Sequence, residues 1–394
     1  MLTAKTDTGK LVTLIQTDRD KINGWKATVF SCPICYQHVR LKIGKIRIPH
    51  FAHLSNQSCV YSGEQETEEH LWLKRTLAEW CLRSKIDYQL EVYLPDLKQR
   101  PDILIGHLAV EIQCSILAPE KMLKRTLTYI KHGYQPIWIC GTKLWNPERL
   151  KDSTKQFCNY TKELGFHIWS ADWKKEKLAF HYHLEEDSEK HLYYGSRSWS
   201  FFYGNLGELL QGNFGAPLLH YRRYQLKLEM SKNYRTITRK LIAKDRNIMN
   251  EQAYFYERYL HLLELHPWFY YTINQTFIFK APAFILRHRI WEYLLKAKLQ
   301  KISKLDIYKA VYELIIKQDI LYDFPLVFKG DLIEWYVCYL IESLMTFDLL
   351  KQEPYSADFF TVTENVNSLS VKSKTPFKKL GTGRVIKTGT PLKI

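Results

Sequence analysis

The segment RPDILIGHLAVEIQ, residues 100–113, decides the fold. Two apolar runs flank Gly106-His107, and a two-residue turn there makes a β-hairpin. In that register Ile105 faces Leu108, Leu104 faces Ala109, Ile103 faces Val110 and Asp102 faces Glu111. Directly opposed residues have Cβ atoms about 4.5–5.5 Å apart, so two carboxylates repel there unless positive charge lies between them. A divalent cation such as Mg²⁺ meets that need, being commonly held by one or two carboxylates together with phosphate oxygens. Gln113 follows Glu111 by two residues and points to the same side, where its amide can place a water or a phosphate. Ile103, Val110 and Ile112 alternate to the other side and predict a buried face. A solvent-facing hairpin with an acid at each end has the same pattern, and a one-residue slip separates the pair.

The neighbouring segments set this hairpin in an α/β unit. GEQETEEHLWLKRTLAEWCLRS, from Gly63, has acids in its first turn and Lys74 and Arg75 later, as a helix favours. DYQLEVYL reads as a strand. PEKMLKRTLTYIKHG opens on Pro119 and closes on Gly133, so it reads as a helix, and QPIWICG reads as a buried strand. The order is helix, three strands, helix, strand. A helix over about 148–164 and a strand pair over about 165–184 are expected next. Glu66, His70 and Lys74 are spaced four apart and share one helix face. On the second helix Lys121, Lys124, Arg125 and Lys131 are candidate phosphate contacts.

Upstream, residues 1–62 read as a small β unit containing SCPICYQHVRLKIGKIRIPHFAH. Cys32 and Cys35 have the CxxC spacing that lets two thiolates grip one Zn²⁺, and a tetrahedral site needs two more ligands. His50, His53 and Cys59 follow, one candidate too many. The favoured set is Cys32, Cys35, His53 and Cys59, with His50 as the substitute for His53. Four protein ligands close the site, so the zinc is structural and stabilises a unit too small to rely on its own core. A redox CxxC usually opens a helix in a βαβ setting, which this segment lacks.

Fifty-seven Lys and Arg against 41 Asp and Glu give the 394-residue chain a net charge of +16. A polyanionic partner uses such an excess, and nucleic acid is the first candidate. The N-terminus has no signal-peptide core, and the apolar stretch Leu332–Leu350 carries Glu334, Glu342 and Asp348, which are costly in lipid. The expectation is a cytoplasmic chain with no membrane insertion and reduced cysteines. From Leu206 the pattern turns helical, with further helices near 283–301, 304–319 and 330–350. Arg222, Arg223, Tyr224, Lys227, Tyr234 and Arg235 interleave positive charge with aromatic rings, the pair of features that single-stranded nucleic acid uses. From Val371 the chain is basic and free of acids, and reads as disordered. The expected domains are 1–62, 63–190, a helical 191–370 and the tail 371–394.

Pro101-Asp102 followed by Glu111-Ile-Gln113, inside helix, three strands, helix and strand, resembles the PD-(D/E)XK nuclease superfamily. Together with CPIC…PHFAH, GEQETEEHLWLK and VEIQCS, the chain resembles the CoiA-like family of bacterial competence proteins over about residues 1–165. The resemblance implies a zinc-finger-like unit and a nuclease-like centre dependent on Mg²⁺ or Mn²⁺. In that centre Asp102 and Glu111 hold metal, Gln113 aligns the attacking water, Glu66 or Glu69 adds an acid, and His70 contacts phosphate or moves a proton. The superfamily's usual lysine is replaced by Gln113, which leaves Lys74 or another lysine to substitute, or a weak or lost catalysis. The implied function is DNA binding and processing that helps incoming single-stranded or branched DNA recombine during natural transformation. The alternative is a noncatalytic DNA-binding or adaptor module that loads recombination proteins.

Overall fold

The computed structural model describes residues 1–44, 48–54, 66–210, 222–271, 275–369 and 385–388. They fall into two compact units: Met1–Asn146 with His167–Tyr182 and Ser196–Leu218, and Pro147–Phe166 with His183–Gly195 and Leu219–Ile394.

The first unit begins with an antiparallel sheet. Its strands are β1 (Thr3–Thr6), β2 (Leu11–Thr13), β3 (Phe30–Ser31), β4 (His38–Lys42) and β5 (His50–His53), in the order β2-β1-β3-β4-β5, with α1 (Arg19–Gly24) between β2 and β3. Then comes α2 (Glu68–Arg83), capped at Thr67, whose hydroxyl accepts from the His70 N–H. The strands β6 (Gln89–Leu90), β7 (Ile103–Ile105) and β8 (Leu108–Gln113) pair antiparallel. The helix α3 (Pro119–Lys131) leads to β9 (Gln135–Cys140), parallel to β8. This is the expected element order. The hairpin register is also the expected one: Ile105↔Leu108, Leu104↔Ala109, Ile103↔Val110. Gly106 takes the left-handed φ of 56° that the tight turn requires.

Side-chain alternation divides the sheet's two faces. Ile103, Val110 and Ile112 join Leu73, Leu77 and Trp80 of α2 in one core, and Leu104 and Ala109 meet Tyr129 of α3 in another. Leu2, Ala4, Phe30 and Phe51 of the N-terminal sheet belong to the α2 core, so that sheet buries its apolar face on the helix of the α/β unit.

The chain continues through α4 (Asp152–Lys155), β10 (Asn159–Thr161), β11 (Gly165–Asp172), β12 (Lys177–Glu186) and β13 (Leu192–Ser200), extending the sheet as β13-β12-β11-β9-β8-β7-β6. The expected helix over 148–164 is reduced to the single turn of α4. Lys155 is wholly buried, 3.0 Å from Glu186 and over the rings of Phe277 and Tyr322, while Phe157 and Cys158 are buried too. Thr154 to Cys158 are all buried, so this stretch has no wet face for an amphipathic helix.

Close packing fixes Gly141 just after β9. A Cβ there would lie 2.8 Å from Glu69 Oε1 and 2.9 Å from Cys114 Sγ. Gly141→Ala is expected to destabilise the first unit by about 1–3 kcal/mol, the usual cost of overpacking, measurable as a lower urea midpoint at unchanged slope.

After α5 (Leu206–Leu210), the second unit resumes at β14 (Arg222–Gln225) and is mainly helical: α6 (Leu226–Ile242), α7 (Arg246–Tyr256), α8 (Gln275–Ile278) and α9 (Phe284–Lys296). Past β15 (Lys301–Ser303) come α10 (Lys304–Gln318) and α11 (Lys329–Thr346), then β16 (Leu350–Gln352) and β17 (Phe359–Val362). The side chain of Asp245 caps α7 and separates it from α6. Of the tail expected to be disordered, Val385–Thr388 forms β18 and pairs with β14; the rest lies outside the described residues. Among the described residues no helix is long and apolar enough to cross a membrane.

Candidate active site

The inward face of α2 delivers Lys74 into a nest of acids. Its ammonium lies 2.5 Å from Glu66 Oε1, 2.8 Å from Glu91 Oε1 and 2.9 Å from Asp102 Oδ1, and the residue is 0% exposed. One turn earlier, His70 Nε2 lies 2.9 Å from Asp102 Oδ2, which also accepts from the Ile112 N–H at 2.9 Å. The structure therefore brings Glu66, His70, Lys74 and Asp102 together: His70 and Lys74 share one face of α2, as their spacing predicts, while Glu66 joins them from just before the Thr67 cap.

The charges stabilise one another. Burial pushes the Asp102 carboxyl up, but His70, Lys74 and the hydrogen bonds from His70 and Ile112 outweigh it and hold the group well below its ordinary value. For Glu66, burial is likewise outweighed by Lys74, the Met1 amino group and His70. Lys74 moves the other way: burial opposes its charge, yet Asp102, Glu66 and Glu91 hold its pKa well above the ordinary range. It is a fixed cation.

Glu91 is a member that the sequence reading missed. It accepts from the N–H groups of Leu2 and Thr3 and from the Thr3 hydroxyl at 2.8–3.1 Å, besides Lys74. Its backbone is left-handed, with φ of 51°, a strained state for a non-glycine residue. Burial raises its carboxyl pKa, but Lys74 and the Met1 amino group bring it down to about 2. The available signal was an acid set between Leu90 and Val92 in the run LEVYL.

Glu111 and Gln113 are held differently. Glu111 Oε1 accepts from Arg125 Nη2 and, at 2.6 Å, from the Tyr129 hydroxyl, both on α3. Burial raises the Glu111 pKa, Arg125 opposes this, and the nearby Asp102 adds to the rise. Gln113 Nε2 donates to Ser115 O at 2.9 Å. Glu69 accepts from the Thr142 N–H at 2.7 Å and anchors the loop after β9.

The ligand atoms of Glu66, His70 and Asp102 lie within 4.8 Å of one another. The two carboxylates are oxygen donors that suit Mg²⁺ or Mn²⁺, whereas the imidazole is a ligand better matched to a transition metal such as Mn²⁺ than to Mg²⁺. A second group, Cys32, Cys35 and His53, meets the same spacing, with Cys35 Sγ 3.3 Å from His53 Nε2. Tyr36, left-handed at φ 58°, closes the CxxC turn so that Cys32 O accepts from the Tyr36 N–H. Burial, then Arg100, lowers the His53 pKa and favours the neutral ring that ligates metal. Two sulfurs and an imidazole fit zinc. His50 instead places Nδ1 2.9 Å from Ile48 O, and Cys59 lies outside the described residues.

Of the proposed nucleic-acid contacts, Arg235 on α6 is exposed and Lys227 half-buried. Tyr234 packs edge-on to Tyr270, with ring centroids 5.2 Å apart, so part of its ring belongs to the helical core. Arg222, Arg223 and Tyr224 lie on β14, but their side chains are outside the described set.

Comparisons with known proteins agree with this architecture. Residues 14–62 match the family model of the competence protein CoiA N-terminal domain, and residues 66–213 match that of the competence protein CoiA nuclease-like domain. The competence protein CoiA of Bacillus subtilis (strain 168) is 37% identical over 132 residues, which cover 32% of this chain and 34% of that protein. The chain thus spans about a third of the length of the curated relative it matches. No solved structure matches. With both domain models matched in order across half of its length, the chain belongs to the competence protein CoiA family.

Proposed function

We propose that the first unit is a metal-dependent centre for cleaving DNA phosphodiesters, acting on incoming single-stranded or branched DNA during natural transformation. The observation that carries this reading is the Lys74 ammonium locked among Glu66, Glu91 and Asp102. A PD-(D/E)XK-type centre combines acids with a lysine. Here the usual lysine position is Gln113, and α2 supplies the cation instead.

Bound by Asp102 and Glu111 with Glu66 and His70, a Mg²⁺ or Mn²⁺ ion would acidify a water and neutralise phosphate charge. Lys74 keeps the Glu66 and Asp102 carboxylates ionised and fixes their oxygens. The His70 side chain is 18% exposed, enough to exchange a proton with solvent while touching Asp102. The amide N–H of Gln113 is engaged by Ser115, so its carbonyl oxygen is the atom that orients a water. A zinc ion on Cys32, Cys35, His53 and Cys59 is structural in this reading. Basic residues of α6, in the second unit, add phosphate contacts of their own, and recombination proteins in the cytoplasm take over the product.

A second reading has its own support. Both Asp102 oxygens and Glu111 Oε1 already have protein partners, as in a centre retained for shape and DNA binding alone. Incubating the full, zinc-loaded chain with linear, single-stranded, flapped and branched DNA in Mg²⁺ or Mn²⁺ separates the two. Metal-dependent cleavage of at least one substrate is expected. Intact DNA throughout would contradict the enzyme and leave the adaptor.

A further inference from the structure

Arg125 is the one charged partner of Glu111 seen among the described residues, and its surroundings suit a residue with two positions. Its side chain is 32% exposed, whereas the Glu111 side chain is 3% exposed. The guanidinium carbon lies 5.2 Å from the ring centroid of Trp138, a residue opposite Glu111 in the sheet. That ring contact does not depend on Glu111, so the guanidinium keeps an anchor when the ion pair opens. Lys121, one turn earlier on the same face of α3, is exposed and adds positive field. Tyr129 also donates to Oε1, so Arg125 can leave without stripping the carboxylate of every donor.

These features answer a conflict within the centre. Glu111 follows Val110, the partner of Ile103, and lies near enough to Asp102 to feel its charge, yet its Oε1 is taken by α3. A cation shared with Asp102 must compete with Arg125 for Glu111. A displaced guanidinium then needs an anion, and the one a DNA substrate brings is a backbone phosphate. A planar guanidinium matches phosphate as well as carboxylate. We infer that Arg125 is a DNA phosphate-binding residue held in reserve by Glu111, and that divalent metal at Asp102 and Glu111 releases it to the strand. This rests on the metal-centre reading above. It assigns Arg125 the thermodynamic coupling between metal and DNA.

The test uses the full chain and two binding readouts. Mn²⁺ binding is followed by electron paramagnetic resonance without DNA. Single-stranded DNA binding is followed by fluorescence anisotropy with and without Ca²⁺. Wild type should bind DNA about tenfold more tightly with Ca²⁺, a typical coupling between two ligands. Arg125→Ala should bind Mn²⁺ about tenfold more tightly than wild type, since one charge-assisted hydrogen bond no longer competes, and its DNA affinity should become nearly independent of Ca²⁺. Tyr129→Phe, which removes the other donor and no charge, should also tighten Mn²⁺ but keep the coupling. It provides the same competition test should Arg125→Ala fold poorly. Weaker Mn²⁺ binding in either variant would make α3 a mere support for Glu111 and overturn the inference. Unchanged coupling in a folded Arg125→Ala would overturn it as well. Wild type that binds no Mn²⁺ would remove the metal-centre reading itself, a result distinct from either of these.

Discussion

Lys74→Met should destabilise the first unit by about 3–5 kcal/mol, the usual consequence of removing one partner from a buried ion pair. The side chain is 0% exposed and touches three carboxylates, so its loss leaves Glu66, Glu91 and Asp102 facing one another without their shared cation. Methionine fills much of the space, which separates the charge effect from a cavity. Urea unfolding at pH 7, with a probe in the first unit, measures the loss. A change below about 1 kcal/mol, the range of exposed ion pairs, would contradict the buried network.

The pH dependence gives the sign. In the folded chain the three carboxyls titrate below their ordinary values, about 2 in the case of Glu91. Their stabilisation is complete above the unfolded values and disappears as pH falls through the folded ones. Lys74 titrates above its ordinary value, so its share is complete below the unfolded value and lost as pH rises through the folded one. The network therefore stabilises between about pH 5 and pH 10. In Lys74→Met the acids repel and protonate more readily, so the gap to wild type should close as the solution is acidified below about pH 4.

Metal loss at Cys32, Cys35 and His53 is the second large effect. Purified protein should contain one zinc per chain, and Cys32→Ser should lose it. The consequence should extend well beyond the CxxC turn. Residues of the N-terminal sheet share a core with α2, and the Leu2 and Thr3 N–H groups donate to Glu91, which holds Lys74. Structural zinc contributes on the order of 10 kcal/mol in small finger units, so its removal can open that sheet. Hydrogen exchange should then accelerate at Leu2 and Thr3 and along α2 around Lys74. Full protection of these amides in metal-free protein would show that the centre stands without the finger-like unit.

The hairpin was legible because its signals are local. Gly106 supplies the left-handed turn, and the alternation of Ile103, Val110 and Ile112 against Leu104 and Ala109 fixes the register. The four-residue spacing of His70 and Lys74 likewise placed them on one face of α2, whereas Glu66 lies before the Thr67 cap and meets Lys74 from outside the helix. Glu91 was not legible, because its donors come from Leu2 and Thr3 at the far end of the sequence. The hold of Arg125 and Tyr129 on Glu111 depends on how α3 packs across the sheet, which the helix pattern alone does not specify. Residues 148–164 misled for a related reason. Their heptad-like mixture of Lys, Phe and Tyr suited a surface helix, but Glu186 draws Lys155 inside.

The most direct test of the central claim is Mn²⁺ titration of wild type and Asp102→Asn, read by electron paramagnetic resonance, with single-stranded DNA affinity measured on the same samples. Asparagine keeps the shape of Asp102 but removes the charge that Lys74 and His70 hold in place. Wild type should bind Mn²⁺ at this centre and Asp102→Asn should lose it by at least about tenfold, the scale of one missing charged ligand, while before any Mn²⁺ is added both bind DNA alike. Equal Mn²⁺ binding by the two proteins, or none by either, would contradict a metal centre at Asp102.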